Sequence, residues 1–369
     1  MAEPETLSVR RLNRATLARQ LLLVRQDVRV ADAVRRLGGL QAQEPRPPFV
    51  ALWARLEGFE RQSLVGALRR RTVVRATAMR ATLHLLHRDD ARALRPALQP
   101  MLAETAARVA KARRATVDVD AVLPAAHGLL AQRPRTFNEL RPLLAEAFPG
   151  MEERSLGYAV RMHLPLVMVP TGDPWGYPAD TEFALADEAL GGPVPTEPDP
   201  AADERLVLLH LSAFGPAAVA DVQTWSGRTG LKDVFERLRP NLAVFRDERR
   251  RTLFDLPDAP RPDEDVPAPA RLLPEFDSLV LAHKDRTRVV PEQHRAKLTT
   301  KNLRIPATFL VDGVVAGTWT MERKRDTATL TLAPFAKLPV AAARELKAEG
   351  EALLRFTDGD DVKGAVRVV

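Results

Sequence analysis

Apolar residues recur at helical spacing over 12–24 and 30–37, and again over 49–56 and 64–71, which predicts a series of amphipathic helices. Asn13 and Ser63 stand where a cap is needed. The period then drops to two, and residues 73–77 and 80–86 read as the strands of a hairpin. Helices followed by a small hairpin describe a winged helix. After a long helical stretch over 98–114 the order returns. Thr136 opens a helix with Glu139 three positions on, a capping box. A helix over 155–163 follows, then a strand over 166–170 that turns at Thr171-Gly172-Asp173-Pro174 and returns through Trp175, Gly176 and Tyr177. A third copy has helices over 206–213, 215–222 and 230–238 and strands over 242–246 and 251–255. The residues ahead of the first helix carry no pattern and read as disordered.

Residues 258–270 place several prolines among acidic side chains, which excludes a helix or a central strand and reads as a linker. Beyond it, short strands are expected at 279–282, 308–311, 314–319 and 328–332, with a helix over 340–354 packed on them. Asp312-Gly313 between two of these strands calls for a primed hairpin turn. The expected fold is α+β and mostly helical: three tandem winged-helix modules followed by a small β-rich C-terminal domain. The modules run over 1–118, 119–200 and 201–257, the linker over 258–270 and the last domain over 271–369.

A chain of 369 residues at 45% hydrophobic is long enough for several cores. The longest apolar runs, 164–170 and 206–211, are too short to span a bilayer, and no signal-peptide pattern opens the chain, so a cytoplasmic protein with no membrane partner is expected. The absence of cysteine removes disulfides, thiolate nucleophiles and cysteine metal sites. A net charge of +7, carried mostly by arginine, favours a polyanionic partner and first of all nucleic acid. Arginine with abundant alanine and proline is also how a GC-rich genome writes an ordinary surface.

Against that background Gln41-Ala42-Gln43 stands out, between Gly38-Gly39, which ends a helix, and Pro45, which restricts what precedes it. In an extended segment the two amides point the same way, toward one small target. A Gln-x-Gln in a soluble surface loop would look the same. Arg80, Thr82 and His84 alternate onto one strand face that could meet DNA or solvent. Arg286 and Arg288 follow Lys284-Asp285 and could clamp phosphates, or pair with the aspartate to hold a loop. Trp175, between two glycines in the second wing, is the candidate exposed aromatic. His84, His87, Asp89 and Asp90 suggest a metal cluster, but the two histidines fall on opposite faces of a strand, and no metal or cofactor is expected.

Four stretches taken together resemble one family: Leu40-Gln41-Ala42-Gln43, Arg80-Ala81-Thr82-Leu83-His84-Leu85, Leu272-Leu273-Pro274-Glu275-Phe276-Asp277 and the run from Val311-Asp312-Gly313 to Thr318-Trp319. Their order over nearly the whole chain is similar to that of the AlkZ-like tandem winged-helix DNA glycosylases, in the branch with a Gln-hydrophobic-Gln motif. The resemblance implies a monofunctional glycosylase acting on double-stranded DNA that contains alkylated guanine, including bulky or crosslinked natural-product adducts, with Gln41 and Gln43 as the catalytic pair. A monomer is expected, because three modules in one chain can supply a surface that wraps the duplex. The competing classes are a winged-helix transcription regulator and a scaffold that uses these modules to bind proteins.

Overall fold

The computed structural model describes residues 3–298, 305–359 and 363–369. Some local signals hold and some do not: Asn13 and Ser63 lie inside the helices Val9–Arg19 and Arg61–Arg69, which begin after Ser8 and Glu60. Thr136 and Glu139 cap the helix Phe137–Ala147 reciprocally, and Asp312 and Gly313 both take positive φ in the turn between the strands Thr308–Val311 and Val314–Lys324.

A five-stranded antiparallel sheet lies under the glutamine motif. Its order is Leu40–Gln41, Leu83–His87, Val73–Thr77, Leu166–Met168 and Phe183–Leu185. The hairpins of the first two helical units therefore form one sheet, joined where Ala76 faces Val167. One core serves both, with Leu37, Leu52 and Leu68 in the same cluster as Leu130, Leu144, Leu156 and Phe183. The return strand of the second hairpin is Phe183–Leu185, not the segment around Trp175. Gly176 sits at positive φ, and the Asp173 carboxylate accepts the Trp175 N–H, so that stretch folds as a turn on itself.

The third unit has helices Pro200–Phe214, Val219–Ser226 and Lys232–Leu238 and a hairpin of Ala243–Asp247 with Thr252–Asp255. Its middle helix starts later than the apolar pattern suggests because Ala217 is held extended, exchanging backbone hydrogen bonds with Phe254. Residues that read as a disordered start instead add a strand: Thr6–Leu7 pairs in parallel with Ala243–Asp247 and buries Leu7. Phe214 and Trp225 pack beside Met79, Leu98 and Met101, seating this unit on the long helix Arg88–Ala112.

Residues 258–270 contain neither helix nor strand, yet they are docked. Arg19 makes a buried two-pronged ion pair with Asp255, which also holds Arg261, and Arg14 Nε donates to the Val266 carbonyl. The C-terminal sheet runs Lys363–Val368, Thr327–Pro334, Val314–Lys324, Thr308–Val311, Arg271–Leu273, covered by the helix Val340–Asp358 through Leu346, Leu353 and Leu354. One expected strand is a short helix, Ser278–Leu281. Asp277 caps it by accepting the Leu279 N–H while Arg55 grips the same carboxylate, so the segment is pinned as a turn rather than left to pair.

Among the described residues no helix is long and apolar enough to cross a membrane.

Candidate active site at the glutamine pair

Gly38 and Gly39 both take positive φ, and a Cβ on Gly39 would lie 2.6 Å from Leu86 Cδ2 and 3.1 Å from the Leu85 carbonyl oxygen. Only glycine lets the chain turn this sharply against the neighbouring strand. The turn delivers Leu40 and Gln41 into register with Leu85 and His84. One residue on, the Ala42 N–H donates to the Leu83 carbonyl at 2.7 Å, so the extended segment continues as far as the motif needs.

Both amides are held in a defined sense. Gln41 Oε1 accepts from Arg80 Nη2 at 2.7 Å, and Gln43 Oε1 accepts from the Leu83 N–H at 2.8 Å. A guanidinium and a backbone N–H can only donate, so the carbonyl oxygen is the held atom in each side chain. Gln41 is 8% exposed, whereas Gln43 reaches solvent at the edge of a cleft of about 530 Å³. Beneath them Arg75, buried in the strand Val73–Thr77, donates to the carbonyls of Ala42 at 2.9 Å and Gln43 at 3.1 Å. Burial brings the Arg75 guanidinium down to about 10, which leaves it charged at neutral pH.

Arg80 does not lie on a strand. It occupies a single turn, Met79–Ala81, with φ of 55°, and its Nη1 reaches the Trp225 carbonyl at the end of the third unit's middle helix. A Cβ on Gly227 would come within 3.0 Å of Arg80 Cα, so the glycine that ends that helix makes room for the Arg80 backbone. Burial, and then repulsion from Arg286, lowers the Arg80 pKa to about 10. The fold thus brings Arg286 from the C-terminal domain close enough to act on Arg80. Arg286 has its own pKa lowered, by burial first and by Arg295 second. Neither Arg80 nor Arg286 has a carboxylate partner among the described residues, so the guanidinium on Gln41 carries a second cation near it without a counter-charge.

The other expected contacts are placed differently. His84 is fully buried, its Nδ1 against the Thr82 carbonyl at 3.0 Å and its Nε2 without a partner, and burial lowers its pKa to about 3. It is a buried, neutral residue opposite Gln41, with no ring surface exposed to solvent. Thr82 is half-buried and closes the turn by donating to the Met79 carbonyl. The expected common face of Arg80, Thr82 and His84 is lost because the first of them lies in the turn. Arg288 is 4% exposed and serves the interior, donating to the Pro216 carbonyl at 2.9 Å and to Thr16. Trp175 is half-buried with its ring edge-on to Phe49 and the guanidiniums of Arg46 and Arg61 over it, so it is no open stacking platform. Arg35 occupies His87, Asp89 and Asp90, and no three His, Asp or Glu side chains converge as a metal set among the described residues. Arg75 was not singled out from sequence, although a charged residue in the middle of an apolar strand was a usable signal.

No curated protein sequence matches the chain. Among solved structures, the DNA glycosylase AlkZ of Streptomyces sahachiroi superposes with a TM-score of 0.80 at 24% sequence identity, over 99% of this chain and 100% of that one. The family model described as DNA glycosylase AlkZ-like matches residues 34–356, which take in the Gly-Gly turn, both glutamines, Arg80 and Arg286. The chain therefore belongs to the AlkZ-like family of DNA glycosylases.

Proposed function

We propose that this DNA glycosylase hydrolyses the N-glycosidic bond of cationic N7-alkylguanine in duplex DNA, that Gln41 and Gln43 are its catalytic pair, and that it works as a monomer. Breaking the bond builds positive charge on the sugar, and an ordinary base leaves poorly unless it is protonated. An N7-alkylated guanine already carries that charge, so the C1′–N9 electron pair can depart with it and the base leaves neutral. No general acid is needed. What remains is to hold a water below C1′ and to stabilise the cationic sugar.

Two neutral amides suit that task. Each Oε1 accepts one fixed N–H and keeps a second lone pair. One such oxygen can accept a hydrogen bond from the attacking water while the other faces the developing charge. The water oxygen bonds to C1′, its proton passes to solvent, and an abasic site is the product. Arg80 and Arg286 would oppose a cationic sugar if left bare, so the reading assigns Arg286 to a phosphodiester beside the lesion, whose negative charge offsets both. The observation that carries the reading is that separate donors fix the carbonyl oxygens of both glutamines in a strongly basic surround.

The test uses a duplex oligonucleotide with one N7-methylguanine, incubated with wild type, Gln41→Ala and Gln43→Ala and then treated with hot alkali to cut abasic sites. Cleavage above spontaneous depurination is expected for the wild type and should fall in both variants by about 100-fold. Equal cleavage in all three removes the glutamines from the chemistry. A transcription regulator would bind the duplex and leave the lesion intact.

A further inference from the structure

The cleft at whose edge Gln43 stands runs between the two units that share the first sheet. Its floor and one wall come from Arg75 and from the helix Glu153–His163, which turns Arg154, Tyr158 and Arg161 toward it at positions i, i+4 and i+7. Arg141 lines it from the neighbouring helix. Arg141 is engaged by Glu153, Asn138 and the Phe137 carbonyl, whereas Arg75, Arg154 and Arg161 have no carboxylate ion pair among the described residues. Arg75 spends its donors on two carbonyls, and Arg161 donates to the Thr77 hydroxyl at 3.2 Å. The Arg154 guanidinium has no hydrogen-bond or ion-pair partner among the described residues, although its backbone N–H donates to Glu152, and Arg75 and Arg161 stand close enough that the second lowers the pKa of the first. Tyr158 stands among them 38% exposed, in a lining that also includes Phe137, Met168 and Phe183.

We infer that this cleft holds one unpaired DNA nucleotide next to the one at the glutamines, its phosphate on Arg154 and Arg161 and its base stacked on Tyr158. The inference rests on the reading that the sugar under attack sits at Gln41 and Gln43. A row of arginines interleaved with an exposed aromatic is how proteins hold single strands without regard to sequence. The opposite wall, which includes Pro178 and Asp180, leaves about 530 Å³, enough for a nucleotide and far too little for a duplex. The helix face that would lie in a groove in a free helix-turn-helix is therefore turned onto a separated strand. Arg75 ties the two sites together, because the guanidinium at the cleft floor also holds the backbone carbonyl of Gln43.

The experiment uses the full chain and a fluorescent oligodeoxythymidylate carrying one 5-iodouracil, read by anisotropy and by photocrosslinking with peptide mapping. Tyr158 and Arg154 are exposed, so their variants should fold, and melting curves check this. Tyr158→Ala is expected to weaken binding about tenfold, while Tyr158→Phe, which keeps the ring, binds as the wild type. Arg154→Ala should reduce the slope of log affinity against log salt by about 0.7. The crosslink should fall on Tyr158. The proposal is overturned if Tyr158→Ala and Arg154→Ala both bind as the wild type, or if the crosslink maps outside the cleft. Excision of N7-methylguanine by the wild type is measured alongside. Binding through Tyr158 without excision sinks the lesion assignment and upholds the cleft; excision with no effect of either variant on oligonucleotide binding does the reverse.

Discussion

Arg80 donates through Nη2 to Gln41 Oε1 at 2.7 Å, and its other terminal nitrogen holds the Trp225 carbonyl. One guanidinium thus connects the glutamine to the end of a helix in the third unit, far along the chain. It fixes which end of the amide is oxygen and where that oxygen lies.

Removing the anchor should therefore damage chemistry more than binding. Arg80→Ala is expected to lower the single-turnover rate on N7-methylguanine by about 100-fold, the size of a misplaced catalytic group, with little change in duplex affinity. Arg80→Lys keeps the charge and loses the fork, and should bind as the wild type while recovering only part of the rate. A loss confined to affinity would mean that Arg80 is a phosphate contact after all.

The pH dependence of excision should be flat. Glutamine does not titrate, and Arg75 and Arg80 stay protonated up to about 10. Single-turnover rates between pH 6 and 8.5 are expected to show no limb after subtraction of spontaneous depurination. A limb near neutrality would point to a titrating base that the amide mechanism does not contain.

Stability should behave otherwise. An unfolded histidine takes up its proton near 6.5, whereas His84 and His210, both desolvated, wait until about 3 and about 4. Between those values the unfolded chain binds more protons, so the stability from keeping these rings neutral is complete above 6.5 and is lost as the pH falls toward 4. The melting temperature should drop across that window, and less steeply in His84→Asn, which cannot be protonated there.

Arg55 and Asp277 form a buried pair, at 2.9 and 2.8 Å, that ties the first unit to the C-terminal domain. Asp277→Ala leaves a guanidinium buried without its counter-charge and should cost about 3–5 kcal/mol in chemical denaturation. Arg55→Met with Asp277→Leu, which removes both charges, should cost far less. Equal losses in the two proteins would show that the pair acts through packing alone.

Gly39→Ala tests the turn that sets the motif. A side chain there meets the Leu85 carbonyl and Leu86 at left-handed φ, which predicts a loss of more than about 1 kcal/mol and a displaced Gln41. Excision should fall even in the fraction that remains folded at low temperature.

Features set by neighbouring residues were legible in the chain itself. The Thr136 capping box, the Asp312-Gly313 turn, the strand Val73–Thr77 and the extended glutamine pair after two glycines all follow from backbone preferences and side chains within a few positions. The fate of a charged side chain is not local in this way. Arg286 and Arg288 are near neighbours in sequence, yet the first has no side-chain partner among the described residues and acts on Arg80 while the second is consumed by Thr16 and Pro216. His84 is alternately a DNA contact or a core residue depending on what covers its strand. Likewise Thr6–Leu7 becomes a strand only because an edge of the third unit offers it a partner, and the arginine-lined cleft exists only because two hairpins join at Ala76 and Val167. The sequence by itself determined the elements and the amide pair; which cations surround that pair was decided by burial and by hydrogen-bond acceptors that the tertiary structure brings from distant parts of the chain.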